Sequence, residues 1–393
     1  MCPGHPIAAN DHLESDQNLH SATNDDPPAA DSSITSFVSR VAQNAKKKML
    51  PEPSFTLTIP SIHDGTALDC RVYHPDSFYT EGAAPWKRHA VVFAHPYAPM
   101  GGSFDDPLMD IVAEQLLRKG YLLGTFNFRG AGRSAGRTSW TAKPECGDYT
   151  SFVGFMAHYL HRLDPFGHRM AEPPSEKAVP PVLMMAGYSY GAMITTQLPP
   201  LEQVLEPFSS PDGGSHAAQI RLRAESWAER QSQAVQEARG QQKASRKSPA
   251  SSSEKSSSPP AAATLAKGKL SPAGGFIMPR PAYLLVSPLQ GLVTHLATMS
   301  LVPSVFARQK PRQEDDAEAK LVRNPTLAVF GDKDIFVPVG KLRAWVGRLS
   351  SQPGSQFQGH EIGSAGHFWA EEGVLDAMLD LVCDFAGKLY DGN

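Results

Sequence analysis

The fold is decided by the stretch Val182-Leu183-Met184-Met185-Ala186-Gly187-Tyr188-Ser189-Tyr190-Gly191-Ala192. An apolar run leads into Gly-Tyr-Ser-Tyr-Gly and then into small residues, which predicts a strand, a tight turn and a helix. Both glycines are needed because the chain passes close to itself on either side of Ser189, where a Cβ atom would clash. Such a G-x-S-x-G turn, the nucleophile elbow, lifts the Ser189 hydroxyl above the sheet and leaves the Tyr190 amide free to hold an oxyanion. Gly/Ser turns also follow strands by chance, so the rest of the chain must supply an acid, a base and a second oxyanion donor.

Length, charge and cysteine use limit the class of protein. The chain has 393 residues and a net charge of −3, enough for one large α/β domain with appendages and a poor match to a broad nucleic-acid-binding surface. Four cysteines lie far apart without a C-x-x-C pair, which favours reduced thiols. The first thirty residues contain no Lys or Arg and no apolar run, and no stretch is apolar enough to span a bilayer. These features predict a cytoplasmic protein without a membrane span.

Composition divides the chain into four parts. Residues 1–50 form an acidic tail that we expect to be disordered, and residues 51–204 form the first part of an α/β core. Residues 205–275 are a low-complexity insertion, which we expect to be mostly disordered with one loosely docked helix within 217–239. This insertion is either a solvated linker or a lid over the site, and the linker is favoured. Residues 276–393 complete the core.

Apolar patterning predicts a mostly parallel, twisted sheet with helices on both faces. Alternating residues over 54–60 and 68–73, separated by a His63-Asp64-Gly65 turn, predict an antiparallel hairpin with one wet face. Unbroken apolar runs predict strands that are buried on both faces. The later strands are expected at 91–94, 121–128, 182–186, 283–286, 326–330 and 357–362, and helices at 108–117, 149–163, 342–349 and 374–389.

A candidate acid and a candidate base for Ser189 each follow a later predicted strand. Asp334 follows the strand over 326–330 and is the preferred acid, with Asp332 in the same turn as its rival. Turn aspartates often bond only their own backbone, so position alone does not decide between them. His367 lies in a Gly/Ala/Ser-rich loop after the last strand and is the candidate base, whereas His360 lies within that strand and is interpreted as structural. What favours Asp334 and His367 as partners of Ser189 is the chain order Ser, Asp, His, with each residue at the end of a predicted strand.

The second oxyanion donor is expected after the strand over 91–94, where the chain reads His95-Pro96-Tyr97. Proline has no N–H, so the Tyr97 amide is the better donor. We interpret His95 as a structural residue that holds this loop. The glycine-rich run over 130–136 has the spacing G-x-G-x-x-x-G and follows an internal strand, so it favours a loop at the sheet edge over a dinucleotide site.

Taken together, these motifs resemble the α/β-hydrolase superfamily, in particular its intracellular serine-hydrolase branch, over about residues 54–200 and 280–390. The motifs that carry the resemblance are Ala94-His95-Pro96 with Gly101-Gly102, the run from Phe126 to Ser134, Gly187 to Gly191, Gly331 to Asp334, and Gly366-His367-Phe368. The resemblance implies Ser189 as nucleophile, Asp334 as acid and His367 as base. The long insertion and the acidic tail depart from the pattern.

The expected activity is hydrolysis of a carboxylic ester or thioester through an acyl-enzyme, on a small-molecule acyl substrate and without a metal or an organic cofactor. A serine aminopeptidase or amidase on the same three residues is the first alternative. A catalytically silent fold that binds a partner through the insertion is the second. Substrate identity and oligomeric state are left open, because one fold carries many chemistries.

Overall fold

A computed structural model gives the structure, which describes residues 50–83, 86–167, 180–245, 268–290 and 312–392. The acidic tail, apart from Leu50, and the most serine-rich part of the insertion, residues 246–267, lie outside the described residues. Their predicted disorder therefore stays a prediction.

Eight strands form a single sheet in the order β1-β2-β4-β3-β5-β6-β7-β8. Strand β2 runs antiparallel to both β1 and β4, and every later pairing is parallel. The predicted hairpin and the mostly parallel sheet are confirmed. The strands are β1 Phe55–Pro60, β2 Ala67–Tyr73, β3 Ala90–Ala94, β4 Leu122–Phe126, β5 Val182–Tyr188, β6 Arg280–Val286, β7 Thr326–Gly331 and β8 Phe357–Ile362.

Helices cover both faces of the sheet, because the central strands are apolar on both sides and need two covers. The side chains of α1 and α8 pack in one apolar layer, and those of α2, α3, α6 and α7 pack in the other. The helices are α1 Pro107–Arg118, α2 Lys143–Arg162, α3 Tyr190–Gln197, α4 Leu201–Ser209, α5 His216–Ser245, α6 Arg312–Arg323, α7 Val339–Ser350 and α8 Val374–Asp391. None of these described helices has the length and apolar character to cross a membrane.

The prediction that one face of the hairpin is exposed to solvent is wrong for β2. Most of this strand is buried, and its polar residue Asp69 lies inside. Asp69 accepts hydrogen bonds from the Arg133 guanidinium at 3.1 and 3.2 Å. Arg71 pairs with Asp105 and stacks on the ring of Phe104 at 3.7 Å. The polar residues of β2 are thus covered by ion pairs with the more exposed side chains of Arg133 and Asp105.

The predicted helix of the insertion exists, but it is longer and more firmly packed than expected. Helix α5 packs along α2 and against the edge strand β1, where Trp227 stacks on Phe55 with ring centroids 4.3 Å apart. Its buried positions include Ile220 and the alanines Ala224 and Ala228, whose small side chains let the two helices approach closely. The expectation of a mostly disordered segment is therefore corrected for residues 205–245.

The position of α5 also bears on the lid. Strand β1 is one edge of the sheet, and β7 and β8 lie at the other. Helix α5 therefore lies beside the sheet edge farthest from the strands that carry the predicted acid and base. The choice between linker and lid for residues 205–275 stays a prediction.

Helix α6 was missed by the sequence analysis and brings a buried lysine into the core. Charged and polar residues fill most of this helix, and its large apolar residues, Leu321 and Val322, stand in the last turn, so it lacks the apolar positions by which other helices are predicted. Lys320 donates hydrogen bonds to the carbonyls of Thr195, Thr196 and Leu198 at the end of α3, the helix that follows Ser189. Burial lowers the pKa of Lys320 from 10.5 to about 7, whereas the three carbonyl acceptors favour its charged form.

Candidate active site

Ser189 occupies a strained turn between β5 and α3. Its backbone has φ 54° and ψ −112°, in a region that residues other than glycine rarely adopt. A Cβ atom on Gly187 would lie 2.3 Å from the carbonyl carbon of Gly191, and one on Gly191 would lie 2.2 Å from the carbonyl oxygen of Ala94. The Ser189 amide donates to the carbonyl of Val286 at 2.9 Å. The turn is thus wedged between neighbouring strand ends, which is the physical reason for both glycines.

The structure brings the three residues predicted from the sequence into one hydrogen-bonded chain. His367 Nε2 lies 2.8 Å from Ser189 Oγ, and His367 Nδ1 lies 2.6 Å from Asp334 Oδ2. Asp334 follows β7 and His367 follows β8, so both reach the same edge of the sheet as Ser189. All three residues are buried or nearly so. Water therefore competes little for these hydrogen bonds.

Backbone amides hold the Asp334 carboxylate in place. Its Oδ1 accepts hydrogen bonds from the amides of Phe336 at 2.8 Å and Val337 at 3.1 Å, which leaves Oδ2 for the histidine. An ionised carboxylate only accepts, so His367 Nδ1 must donate and Nε2 is left with the lone pair that faces the serine hydroxyl. The rival Asp332 is not the partner of His367. Its Oδ1 is buried without a hydrogen bond among the described residues.

A second group of side chains holds the backbone of His367. The Tyr188 hydroxyl and the Ser287 hydroxyl donate to the His367 carbonyl at 3.1 and 3.3 Å, and Trp369 Nε1 donates to Ser287 Oγ at 3.0 Å. Burial raises the pKa of Tyr188, so its phenol stays protonated and able to donate. The sequence analysis missed this group. Its only signal was that Tyr188 and Ser287 each stand where a predicted strand ends.

Aromatic rings surround the imidazole of His367. The ring of Phe336 packs edge-on at a centroid distance of 4.6 Å, Phe368 at 5.4 Å, and Tyr188 stacks at 5.8 Å. These rings fix the ring plane of the histidine and exclude water from its sides.

The two loops predicted to supply oxyanion donors lie together. Tyr190 is the first residue of α3, so its amide has no carbonyl partner within the helix. In the part of the chain that the structure describes, no hydrogen bond uses the Tyr97 amide, while the Tyr97 carbonyl accepts from Met100 and Gly102 at 3.1 Å each. The rings of Tyr97 and Tyr190 are 5.1 Å apart. Both amides are therefore candidates to bind a developing negative charge.

His95 holds the loop rather than taking part in proton transfer. The Phe128 amide donates to its Nε2 at 2.9 Å, so Nδ1 carries the proton and donates to the Pro96 carbonyl at 2.6 Å. Burial lowers the pKa of His95 to about 4, and the side chain is neutral at pH 7. The interpretation of His95 as structural agrees with this geometry.

The glycine-rich loop over 130–136 is built by internal contacts. Arg129 at its start forms buried hydrogen bonds with Asp148 at 2.6 and 2.9 Å and pairs with Asp64 at 2.8 Å. A Cβ atom on Gly132 would lie 2.3 Å from the Asn127 side-chain nitrogen. The next helix, α2, begins only at Lys143, so the loop does not open a helix as a phosphate-binding loop does. It is a structural loop at the sheet edge.

Other features of the described residues offer no rival site. Across the described ranges, no cluster of three His, Cys, Asp or Glu side chains is arranged to hold a metal ion. A cavity between α2, α5 and residues 270–274 is lined by His161 and Arg221. It lies at the end of α2 that points away from Ser189, because α2 starts at the carboxyl edge of the sheet and ends at the opposite one.

Comparison with known proteins adds a likeness in chain path. No family model and no curated protein matches the sequence. Among solved structures, the chain is similar to an alpha-beta serine hydrolase homologue from Coxiella burnetii, with 16% identity, a TM-score of 0.44, and coverage of 85% of this chain and 98% of that chain. It is also similar to Est1E from Butyrivibrio proteoclasticus, with 14% identity, a TM-score of 0.45, and coverage of 86% and 100%. The Pyrococcus furiosus esterase Pf2001 has 14% identity, a TM-score of 0.41, and coverage of 84% and 88%.

Identities this low say nothing of a substrate, and the fold follows from the chain's own features. One strand, β2, runs against an otherwise parallel sheet, and a strained serine turn follows the central strand β5. The partner carboxylate and histidine follow β7 and β8, in the chain order Ser, Asp, His. By sheet topology and by the position of its serine turn, this chain has the α/β-hydrolase fold.

Proposed function

We propose that this protein is a serine hydrolase that cleaves a carboxylic ester or thioester through Ser189, His367 and Asp334. The observation that carries the proposal is the unbroken chain of hydrogen bonds from a buried carboxylate through the histidine to a hydroxyl on a strained turn. That arrangement is the one needed to activate a serine as a nucleophile.

In the first half of the reaction, Ser189 Oγ attacks the carbonyl carbon of the substrate and its proton passes to His367 Nε2. The new C–O bond gives a tetrahedral oxyanion, to which the amides of Tyr97 and Tyr190 donate. Asp334 stabilises the charged imidazolium and keeps Nδ1 protonated. The C–O or C–S bond to the leaving group then breaks, and the leaving group takes the proton from Nε2.

In the second half, water attacks the acyl group on Ser189 while His367 Nε2 takes a proton from that water. The second tetrahedral intermediate collapses, the acid product leaves, and Ser189 Oγ recovers its proton from Nε2. In each half of the reaction His367 takes one proton and gives one back, so water is the only reactant that the cycle needs besides the substrate.

The surroundings favour an ester or thioester over a peptide with a free amine. An aminopeptidase needs a carboxylate available for the substrate ammonium group, but Glu145 and Asp106, two carboxylates near the surrounding loops, already have partners. Among the buried side-chain oxygens of the described acids, only the Oδ1 of Asp332 is left unpaired. Glu145 accepts from the amide and hydroxyl of Ser139 at 2.6 and 2.5 Å. Asp106 accepts from the Leu108 and Met109 amides at the start of α1.

The test uses the purified full chain and a panel of p-nitrophenyl esters, acyl thioesters and aminoacyl amides, together with a fluorophosphonate probe. We expect Ser189→Ala to abolish labelling and to lower turnover of the best ester by several orders of magnitude. Ser351→Ala is the matched control, because this exposed serine at the end of α7 lies far from the turn. Labelling or turnover that persists in Ser189→Ala would refute the assignment.

The panel also separates the alternatives. Fastest turnover of the aminoacyl amides would favour the aminopeptidase, and a wild-type protein that neither reacts with the probe nor hydrolyses any substrate would favour a binding protein with a silent fold.

A further inference from the structure

Exposed apolar side chains gather at the edge of the sheet where Ser189 lies. Among the described residues, four of the six large apolar side chains that are most exposed stand in loops after β3, β4, β7 and β8, the carboxyl ends of parallel strands. We call these four the apolar rim: Met100 (65% exposed), Trp140 (77%), Ile335 (75%) and Phe368 (43%).

Two residues of the apolar rim are direct sequence neighbours of the proposed catalytic residues. Ile335 directly follows Asp334, and Phe368 directly follows His367 and packs against its ring. Trp140 stands just before α2, which packs against α3, the helix that follows Ser189. Single exposed apolar residues are common on protein surfaces, but several on the loops of one sheet edge point to an interaction surface.

Positive charge accompanies the rim on the side of Trp140. The loop after β4 contains no Asp or Glu over residues 127–142. The loop after β3 contains Asp105, which pairs with Arg71, and Asp106, which accepts from the first amides of α1. Arg137 and Lys143 are exposed on this side, and Lys333 is exposed on the other side, after β7. Within the described part of the chain none of the three has a carboxylate partner. On the opposite side, after β8, stand the exposed acids Glu371 and Glu372, whereas the exposed acids Asp64 and Asp105 on the side of Trp140 pair with Arg129 and Arg71.

We propose that the apolar rim docks on an anionic lipid surface, so that an acyl substrate reaches Ser189 from the lipid. Tryptophan favours the boundary between water and lipid because its ring is apolar and its N–H is polar. Each Lys or Arg near an anionic surface adds to the attraction. A soluble apolar substrate would account for the apolar residues but not for the unpaired cations beside them.

Docking through the rim gives the molecule a definite orientation. The carboxyl edge of the sheet faces the lipid, so that all four rim residues lie on the lipid side, with the cations Arg137 and Lys143 beside Trp140. The direction in which substrate enters rests on the proposed function, whereas lipid binding does not depend on it.

The test compares sedimentation of the full chain with phosphatidylcholine vesicles and with vesicles that also contain phosphatidylserine. We expect binding to the anionic vesicles at low salt, weakened by added salt because the headgroup attraction is screened. Trp140→Ser with Ile335→Ser should lower the partition coefficient at least tenfold, and Arg137→Gln with Lys143→Gln should weaken binding to the anionic vesicles alone. The matched control is Ile277→Ser with Met278→Ser, since these exposed residues precede β6 at the opposite edge of the sheet. The control should bind within twofold of wild type.

A second readout separates this inference from the proposed function. Ser189→Ala should bind vesicles like wild type, and the Trp140/Ile335 variant should hydrolyse a soluble short ester normally while losing activity on an ester held in vesicles. Absence of vesicle binding by wild type, or an equal loss in the control variant, would overturn the proposal. So would light scattering that shows the rim variant splitting an oligomer without any vesicle binding. Vesicle binding without hydrolysis of any ester would overturn the proposed function alone.

Discussion

Replacing Asp334 by asparagine tests the geometry at its most sensitive point. The Oδ1 position accepts two backbone amides, so an asparagine must place its own oxygen there and turn its NH2 group toward His367 Nδ1. Two donors would then face each other at 2.6 Å. The histidine escapes this repulsion by moving its proton to Nε2, where it can donate to Ser189 Oγ but cannot take the serine proton.

The opposite orientation of the asparagine is also unfavourable. It would turn the NH2 group toward the amides of Phe336 and Val337 and lose both hydrogen bonds, at about 1 kcal/mol or more each. The wrong tautomer therefore dominates. We expect kcat to fall by about 10⁴-fold, which corresponds to about 5 kcal/mol of transition-state stabilisation.

The measurement is kcat and KM on the best short ester, with thermal melting to show that the variant is folded. Asp332→Asn is the control, because this residue lies in the same turn but is not hydrogen-bonded to His367, and we expect its activity within about threefold of wild type. The reasoning fails if Asp334→Asn keeps more than a tenth of the activity, or if Asp332→Asn loses as much.

Two further predictions concern residues that touch no reacting atom. Tyr188→Phe and Ser287→Ala each remove one donor to the His367 carbonyl, so each should lower kcat by about two- to tenfold with KM unchanged, and the double variant should lose more than their product because the buried carbonyl is then unpaired. Independent, multiplicative effects in steady-state kinetics would contradict this role. Folding lowers the pKa of Lys320 from 10.5 to about 7, so the unfolded chain binds its proton more readily and stability should rise between those pH values, by at most about 1.4 kcal/mol per pH unit. The free energy of unfolding, measured with denaturant at pH 7 and 9.5, should rise in wild type and in the exposed-lysine control Lys341→Met but not in Lys320→Met. The same change in unfolding free energy between the two pH values in all three proteins would contradict this prediction.

The sheet and its order could largely be predicted because strands buried on both faces leave unbroken apolar runs. Strand β8 has the predicted bounds, and β5, β6 and β7 each differ from prediction by a few residues at one end. Helix α2 begins six residues before its predicted start, at Lys143. These six residues contain Gly147 and the buried acids Glu145 and Asp148. In sequence they resemble loop residues, but both acids are hydrogen-bonded inside the fold.

The insertion and α6 show the opposite case. Helix α5 packs through alanines and a stacked Trp227, which contribute little to an apolar pattern. Its stability comes from packing against α2 and β1, and a local sequence pattern does not reveal contacts with distant parts of the chain. The same limit applies to the site. Ser189, Asp334 and His367 could be named because each follows a strand, but the support of His367 by Tyr188 and Ser287 arises only when β5 and β6 lie side by side.

The contact between α5 and β1 has a consequence for solubility. An edge strand exposes free backbone groups that invite strand addition from a second chain, a common route to aggregation. Here Arg223 of α5 donates to the Thr58 carbonyl of β1, and Trp227 covers Phe55 of the same strand. A shortened protein that lacks α5 would uncover this edge. Helix α5, which looks dispensable by composition, thus protects the edge strand β1 from self-association. A truncated form for crystallisation should retain residues 216–245.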